Sequence, residues 1–339
     1  MAHISRLWSD GVERNLLMRL VDVSLRGAGQ VIFQNNPLTG LLFIIGVGWG
    51  AYSAHNIAVA IGAVVGLVLS TVTAMLLDSD SESLREGLFG FNGMLVGVAV
   101  PTFLVDSPLM WLLLVIGAAV STVTMLAISN VMKTWGVPAL TFPFVLTTWF
   151  LVLAAYSFGH LPISSMGAPA LPRAPGSAAF GIAVSADFLV RSWLNGPAQV
   201  FLINNTLTGI IIVVGLLVGS VWSAVFALVG SAVALIFAIL FGARADSIDA
   251  GLYAFSPILT AVALGSVFYS PSWRVALFAL LGTVFTVIVQ GALDAAVSPA
   301  GIPTFTAPFV FVTWLFLLPR ANLRPHPHRR IKDGVLTDK

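Results

Sequence analysis

The stretch Leu25-Arg26-Gly27-Ala28-Gly29-Gln30-Val31-Ile32-Phe33-Gln34-Asn35-Asn36-Pro37-Leu38-Thr39-Gly40 decides how the chain is read. It returns as Leu194-Asn195-Gly196-Pro197-Ala198-Gln199-Val200-Phe201-Leu202-Ile203-Asn204-Asn205-Thr206-Leu207-Thr208-Gly209. Both copies fit the skeleton L-x-G-x-x-Q-V-x-x-x-N-N-x-L-T-G, with Gln30 and Gln199 standing 169 positions apart. Polar residues, glycines and a proline here border long apolar runs. In hydrocarbon an irregular backbone survives only where it is buried in protein or lines a cavity. The stretch therefore reads as a broken half-helix facing a solute path, used twice.

Outward from it, the composition is that of a polytopic membrane protein: 58% hydrophobic and 9% charged residues, with a mean hydropathy of +0.98. The absence of cysteine excludes disulfides, thiol catalysis and thiolate metal sites. The sequence pI near 9.2 arises mostly in the two tails and does not argue for nucleic acid. No removable signal peptide is expected, because no apolar core with a small-residue cleavage site directly follows Arg6, Arg14, Arg19 and Arg26.

The expected organisation has five parts. Residues 1–24 form an interfacial segment, in which Leu16, Leu20 and Val23 share one side of a helix among charged residues. Residues 25–158 hold the first half-helix and apolar runs near 38–54, 57–77, 88–105, 109–131 and 139–158. Each run approaches the ~20 residues needed to cross a bilayer. Residues 159–186, rich in Gly, Pro, Ala and Ser, read as a linker. Residues 187–319 repeat the plan, with runs near 207–221, 222–242, 250–269, 273–293 and 304–319. Residues 320–339 read as a disordered cytoplasmic tail.

Two further matches support the duplication. Gly87-Leu88-Phe89-Gly90-Phe91-Asn92-Gly93-Met94-Leu95 aligns with Gly251-Leu252-Tyr253-Ala254-Phe255-Ser256-Pro257-Ile258-Leu259 at an offset of 164. Pro138-Ala139-Leu140-Thr141-Phe142-Pro143-Phe144 aligns with Pro303-Thr304-Phe305-Thr306-Ala307-Pro308-Phe309 at 165. An odd number of crossings per half turns the second half upside down, so the expected fold is all-α, two inverted five-helix repeats with a pore at their pseudo-twofold interface. With both termini cytoplasmic, thirteen of the 16 Lys and Arg residues fall inside, in agreement with the positive-inside rule. Most of that excess sits in the tails, since the short loops divide three and three.

Apart from Arg274 at the start of the 273–293 run, the apolar runs lack Asp, Glu, Lys and Arg, and His55 and His160 sit only at run ends. Proton relays and ion sites need such groups in the bilayer, and no P-loop is present to couple nucleotide hydrolysis. Passive conduction of an uncharged polar solute is the reading that remains. Three recurring pairs would carry it. Phe91 and Phe255, with Phe33 and Leu202 as neighbours, would make a flat gap. Thr141 and Thr306 would offer hydroxyls that both donate and accept, and Gln30 and Gln199 would offer amides. Leu95 and Leu259, one turn beyond each Phe, would form apolar lips. The same residues also have ordinary uses: packing for Phe and Leu, helix capping or back-bonding for Thr, and interhelical bonding for Gln. Asn35, Asn36, Asn204 and Asn205 are expected to satisfy freed backbone groups.

Taken together, the doubled N-N-x-L-T-G at 35–40 and 204–209, the G-L-F-G-F-N-G at 87–93 and the doubled P-x-x-T-x-P-F at 138–144 and 303–309 resemble the urea transporter family. The likeness runs from about Leu25 to Leu318. It implies a bacterial-type urea channel with ten crossings and two re-entrant half-helices, a homotrimer with one pore per subunit, in the cell (inner) membrane. It implies a filter that holds dehydrated urea between Phe91 and Phe255, with Phe33 beside them, hydroxyls at Thr141 and Thr306, and lips at Leu95 and Leu259. Gln30 and Gln199 match a position that is Glu in some members. Leu202 opposite Phe33, and Ser256-Pro257 opposite Asn92-Gly93, are departures between the halves. Urea, self-association and membrane lipid are the expected partners, with no cofactor, no metal and no nucleic acid. A pore for ammonia, water or short amides is the alternative. Ammonia channels generally rely on an intramembrane His, and water channels carry N-P-A twice, whereas Asn36-Pro37-Leu38 occurs once. A membrane enzyme or receptor is disfavoured by the lack of a buried acid–base pair, nucleophile set or ligand domain.

Overall fold

The break after each half-helix sets the architecture. In the computed structural model, which describes residues 15–172, 185–319, 323, 329–332 and 335–338, helix α1 (Leu16–Gln30) is capped by Asn15, whose Oδ1 accepts from Leu17 N at 2.8 Å. It ends where Phe33 takes φ +59° and Gln34 N turns back to Gly29 O. Helix α8 (Ala186–Gln199) ends the same way, with Leu202 at φ +56° and Ile203 N bonded to Ala198 O. A left-handed residue commonly closes a helix, but it is usually Gly. Placing a Phe and a Leu there costs about 1–2 kcal/mol each.

After α1 come α2 (Pro37–Ser53), α3 (Ile57–Leu76), the short α4 (Ser81–Arg85), α5 (Gly90–Phe103), α6 (Pro108–Lys133) and α7 (Phe142–Ala155). After α8 the order recurs: α9 (Thr206–Gly219), α10 (Val221–Leu240), the short α11 (Ala245–Asp249), α12 (Phe255–Val262) running into a π-turn at Ala263–Val267, α13 (Trp273–Val297) and α14 (Ala307–Leu317). Helices α3, α6, α10 and α13 are long and apolar enough to cross a membrane. Among the described residues six further apolar helices have 10–17 residues. At 1.5 Å per residue, a 14-residue helix such as α5 or α7 spans about 21 Å, short of a ~30 Å hydrocarbon core, so extended chain completes its path. The chain is a polytopic all-α membrane protein. The expected disordered tail contains a small antiparallel ribbon, β1 (Arg329–Lys332) with β2 (Val335–Asp338), whose second strand touches α4.

Small residues let the helices approach. A Cβ on Gly40 would overlap Leu25 O, and one on Gly209 would overlap Leu194 O, which explains why T-G closes both copies of the opening motif. Gly62 and Gly66 of α3 meet Gly97 and Gly93 of α5 backbone to backbone, the close crossing that small residues permit in membranes. Two mirrored hydrogen bonds tie α2 to α9: Thr39 Oγ1 donates to Gly215 O and Thr208 Oγ1 to Gly46 O, both at 2.9 Å. The first part of the expected linker is pinned, not free. Val105 N donates to Pro162 O and Ser164 N to Phe103 O, while Ala170 N donates to Ser298 O at 3.0 Å. Residues 173–184 lie outside the described residues.

Candidate functional site

Helix ends converge where the broken segments meet. Gln30 and Gln199 are the last residues of α1 and α8. Phe91 and Phe255 stand in the first turn of α5 and α12. Thr141 and Thr306 stand at the N-cap positions of α7 and α14 with no side-chain capping bond, each just after a left-handed residue, Leu140 at φ +55° and Phe305 at φ +49°. The extended chain ahead of each Thr is held across the halves. Trp149 Nε1 donates to Pro303 O at 2.9 Å, and Trp314 Nε1 to Pro138 O at 2.8 Å.

Two cavities open at this place. One, of ≈ 30 Å³, is lined by Gln30, Val31, Phe33, Leu88, Phe91, Met125, Pro138, Leu140 and Thr141. The other, of ≈ 400 Å³, is lined among others by Gln199, Leu202, Leu252, Phe255, Gln290, Pro303 and Phe305. These are the same positions of the two halves: Gln30 with Gln199, Phe33 with Leu202, Leu88 with Leu252, Phe91 with Phe255, Met125 with Gln290, Pro138 with Pro303 and Leu140 with Phe305. Between the halves, Thr141 Oγ1 and Thr306 Oγ1 lie 2.6 Å apart in a hydrogen bond, both buried.

The candidate residues therefore fall as follows. Gln30, Phe33, Phe91 and Thr141 gather at the narrow cavity, while Gln199 and Phe255 gather at the wide one. The two Phe rings thus line different cavities. Thr306 is bonded to Thr141 and lines neither cavity, and Leu95 and Leu259 are wholly buried and line neither cavity. Phe33 is fixed edge-on against Phe268 and Phe309, with ring centroids 6.2 and 6.0 Å away. Gln30 Nε2 donates to Glu86 O at 3.0 Å, which turns its carbonyl away from that loop. The Asn pairs serve the backbone and its neighbours: Asn36 and Asn205 cap α2 and α9. Asn35 Oδ1 accepts from Arg26 Nη1 at 2.8 Å, and Asn204 Oδ1 from Asn195 Nδ2 at 3.0 Å.

Three residues escaped the sequence reading. Gln290, Asp294 and Thr304 cluster at the wide cavity, with Gln290 Nε2 donating to Asp294 Oδ1 at 2.9 Å and to Thr304 Oγ1 at 2.8 Å. The hydropathy pattern ends the apolar run at Leu293, whereas α13 continues through Asp294 to Val297. The offset of 165 carried the signal: the equivalents of these three residues are Met125, Ser129 and Ala139, none of them charged. At the same end of the molecule, Arg244 hydrogen-bonds Asp246 and holds its exposed carboxyl below the ordinary carboxylate range. Among the described residues no group of His, Cys, Asp and Glu could hold a metal ion.

Helices that stop inside the molecule, polar groups gathered at their ends, a buried hydroxyl pair and two cavities lined by equivalent positions of the halves fit a membrane transport protein. The urea transporter family model matches residues 21–321, so the chain belongs to the urea transporter family. It is similar to Urea transporter 1 of Ovis aries, 29% identical over 306 residues that cover 89% of this chain and 77% of that protein. Urea transporter 1 of Mus musculus is 29% identical over 311 residues, covering 90% of this chain and 78% of that protein. Urea transporter 1 of Rattus norvegicus is likewise 29% identical, over 319 residues. The family is one of transporters, so the chain is not an enzyme.

Proposed function

We propose that the chain is a passive, channel-like conductor of urea, with one pore per subunit between two inverted repeats, residues 25–158 and 187–319. The observation that carries this reading is the Thr141–Thr306 hydroxyl pair, buried between two cavities lined by equivalent positions of the two halves. Urea is flat and neutral, with four N–H donors and one carbonyl, and it must shed water to enter so narrow a place. An amide transferred without new partners costs about 2–7 kcal/mol. The Gln30 and Gln199 carbonyls would accept urea's N–H groups at the two mouths. In the middle, one hydroxyl proton bridges the Thr pair, while the other proton and the remaining lone pairs are offered to the guest. Phe91 and Phe255 would confine the guest to its flat shape, with Phe33 beside Phe91 and Leu95 and Leu259 backing the slot. The narrow cavity must widen for urea to pass, and Met125, unbranched and adaptable, is placed to move. Sites of this kind conduct because each is too weak to hold the solute long.

The same reading places the protein in a cell (inner) membrane as a homotrimer surrounded by lipid, with both termini cytoplasmic. Residues 1–24 then lie at the interface, 159–186 link the repeats and 320–339 form the tail. The test is urea efflux from proteoliposomes followed by stopped-flow light scattering. Flux is expected without any ion gradient and unchanged by protonophore, and Phe91→Trp is expected to slow it by about tenfold or more through loss of the gap. Flux that collapses with the proton gradient, or that ignores Phe91→Trp, sinks the reading. Competition by methylurea and by ammonium separates urea selectivity from a pore for other small neutral solutes.

A further inference from the structure

The wide mouth carries something the narrow mouth lacks. Asp294 lies near the end of α13, a helix apolar and long enough to cross the membrane, and it lines the ≈ 400 Å³ cavity. An ionisable residue at such a place is costly and calls for a partner. Beside it, Gln290 is 3% exposed and lines the same cavity. The carboxylate can only accept, so it fixes the Gln290 amide with its NH₂ toward Asp294 and Thr304. Gln290 Oε1 then points the other way, buried and with no hydrogen-bond partner. An orphaned carbonyl of this kind leaves the desolvation of its lone pairs uncompensated. An anionic acceptor, already met by Gln290 Nε2, thus stands beside a carbonyl that has no donor, and aromatic residues Tyr253, Phe255 and Phe305 line the same cavity. The equivalent positions of the other half, Met125, Ser129 and Ala139, bring no such set to the narrow mouth.

We propose that Asp294 and Gln290 form a docking site at the wide mouth for a planar, N–H-donating cation of the guanidinium class. The guest donates one edge to the Asp294 carboxylate and another N–H to Gln290 Oε1, and its face rests on the aromatic wall. It goes no further, because the Phe255 and Thr306 region beyond offers no charge to offset its desolvation. Only this last statement, that the cation stops at the mouth, rests on the urea-channel reading.

The experiment titrates the full chain in detergent with N-methylguanidinium chloride, reading saturation transfer to the methyl protons at constant ionic strength. Saturable binding is expected, displaced by guanidinium and not by tetramethylammonium, which has the charge but no N–H. Asp294→Asn and Gln290→Met are each expected to weaken it by about tenfold. Asp246→Asn, an exposed carboxylate at the same end, leaves it unchanged. Absence of saturable binding, equal displacement by tetramethylammonium, or full affinity in both site variants with an unaltered melting temperature overturns the proposal. Where Asp294→Asn does not fold, Gln290→Met decides. Urea flux is measured in parallel: a chain that binds the cation and moves no urea keeps this site and loses the channel reading, and the reverse result loses the site alone.

Discussion

Thr141 and Thr306 show how much one hydroxyl can decide. Their oxygens, 2.6 Å apart, satisfy one another in a buried place. Thr306→Val keeps the shape and strips that partner, leaving Thr141 with a desolvation penalty of about 1–3 kcal/mol. Urea flux in proteoliposomes is expected to fall by roughly tenfold, whereas Thr306→Ser, which restores the hydroxyl, keeps most of it. Thr141→Val should match Thr306→Val if the pair acts as one unit, since effects of contacting residues do not add. The double variant then costs little more than either single one. Both threonines were legible in the sequence because each stands between two prolines at equivalent places. Their direct bond was not, since it joins residues 165 positions apart. Asp294 was illegible for a related reason: only the continuation of α13 and the neighbouring Gln290 and Thr304 turn a residue at the edge of an apolar run into part of a mouth.

Among the elements, the crossings at glycine hold the frame on which those residues sit. Gly97 of α5 and Gly62 of α3 touch through their backbones, and a methyl at Gly97 has nowhere to go because Gly62 O occupies its place. Gly97→Ala is expected to lower the melting temperature in detergent, with a loss of about 1–3 kcal/mol or more for forced repacking. The bonds from Thr39 to Gly215 and from Thr208 to Gly46 join α2 to α9 across the halves. Thr208→Val is expected to cost about 1 kcal/mol, the usual scale of such bonds between membrane helices. Thr39→Val should cost the same, and equal shifts in midpoint on unfolding would express the equivalence of the two halves. The N-N-x-L-T-G motif marked these element starts in the sequence through cap and proline chemistry. Its final Gly gained a reason only when α1 was seen to cross α2.

At the scale of the whole molecule, the proposed inverted arrangement, with an odd number of crossings in each half and an even total, would put the two ends of the chain on one face. Tags added at residues 1 and 339 should therefore react together with a membrane-impermeant reagent, and a cysteine placed at exposed Leu171 should react only from the opposite face. Reaction of Leu171→Cys from the same face as the tags would break the inverted arrangement. The two cavities also differ in size and charge, narrow and uncharged at Met125, wide and acidic at Asp294. A channel with unequal mouths still moves a neutral solute to the same equilibrium from either side, because its driving force is concentration alone. The asymmetry shows instead in what each face binds.

The chain's own order of residues determined its membrane class, the duplication and the Gln, Phe and Thr positions, since hydropathy, caps and motif offsets are written locally along one strand of residues. Only the tertiary structure decided that Phe91 and Phe255 line separate cavities, that the Thr141 and Thr306 hydroxyls pair and that an acid sits beside an orphaned carbonyl at one cavity. These are contacts between residues far apart in the chain, and in a membrane nearly every segment is apolar, so hydrophobic pattern cannot say which faces meet. Backbone approach at small residues and the pairing of buried polar groups make that choice.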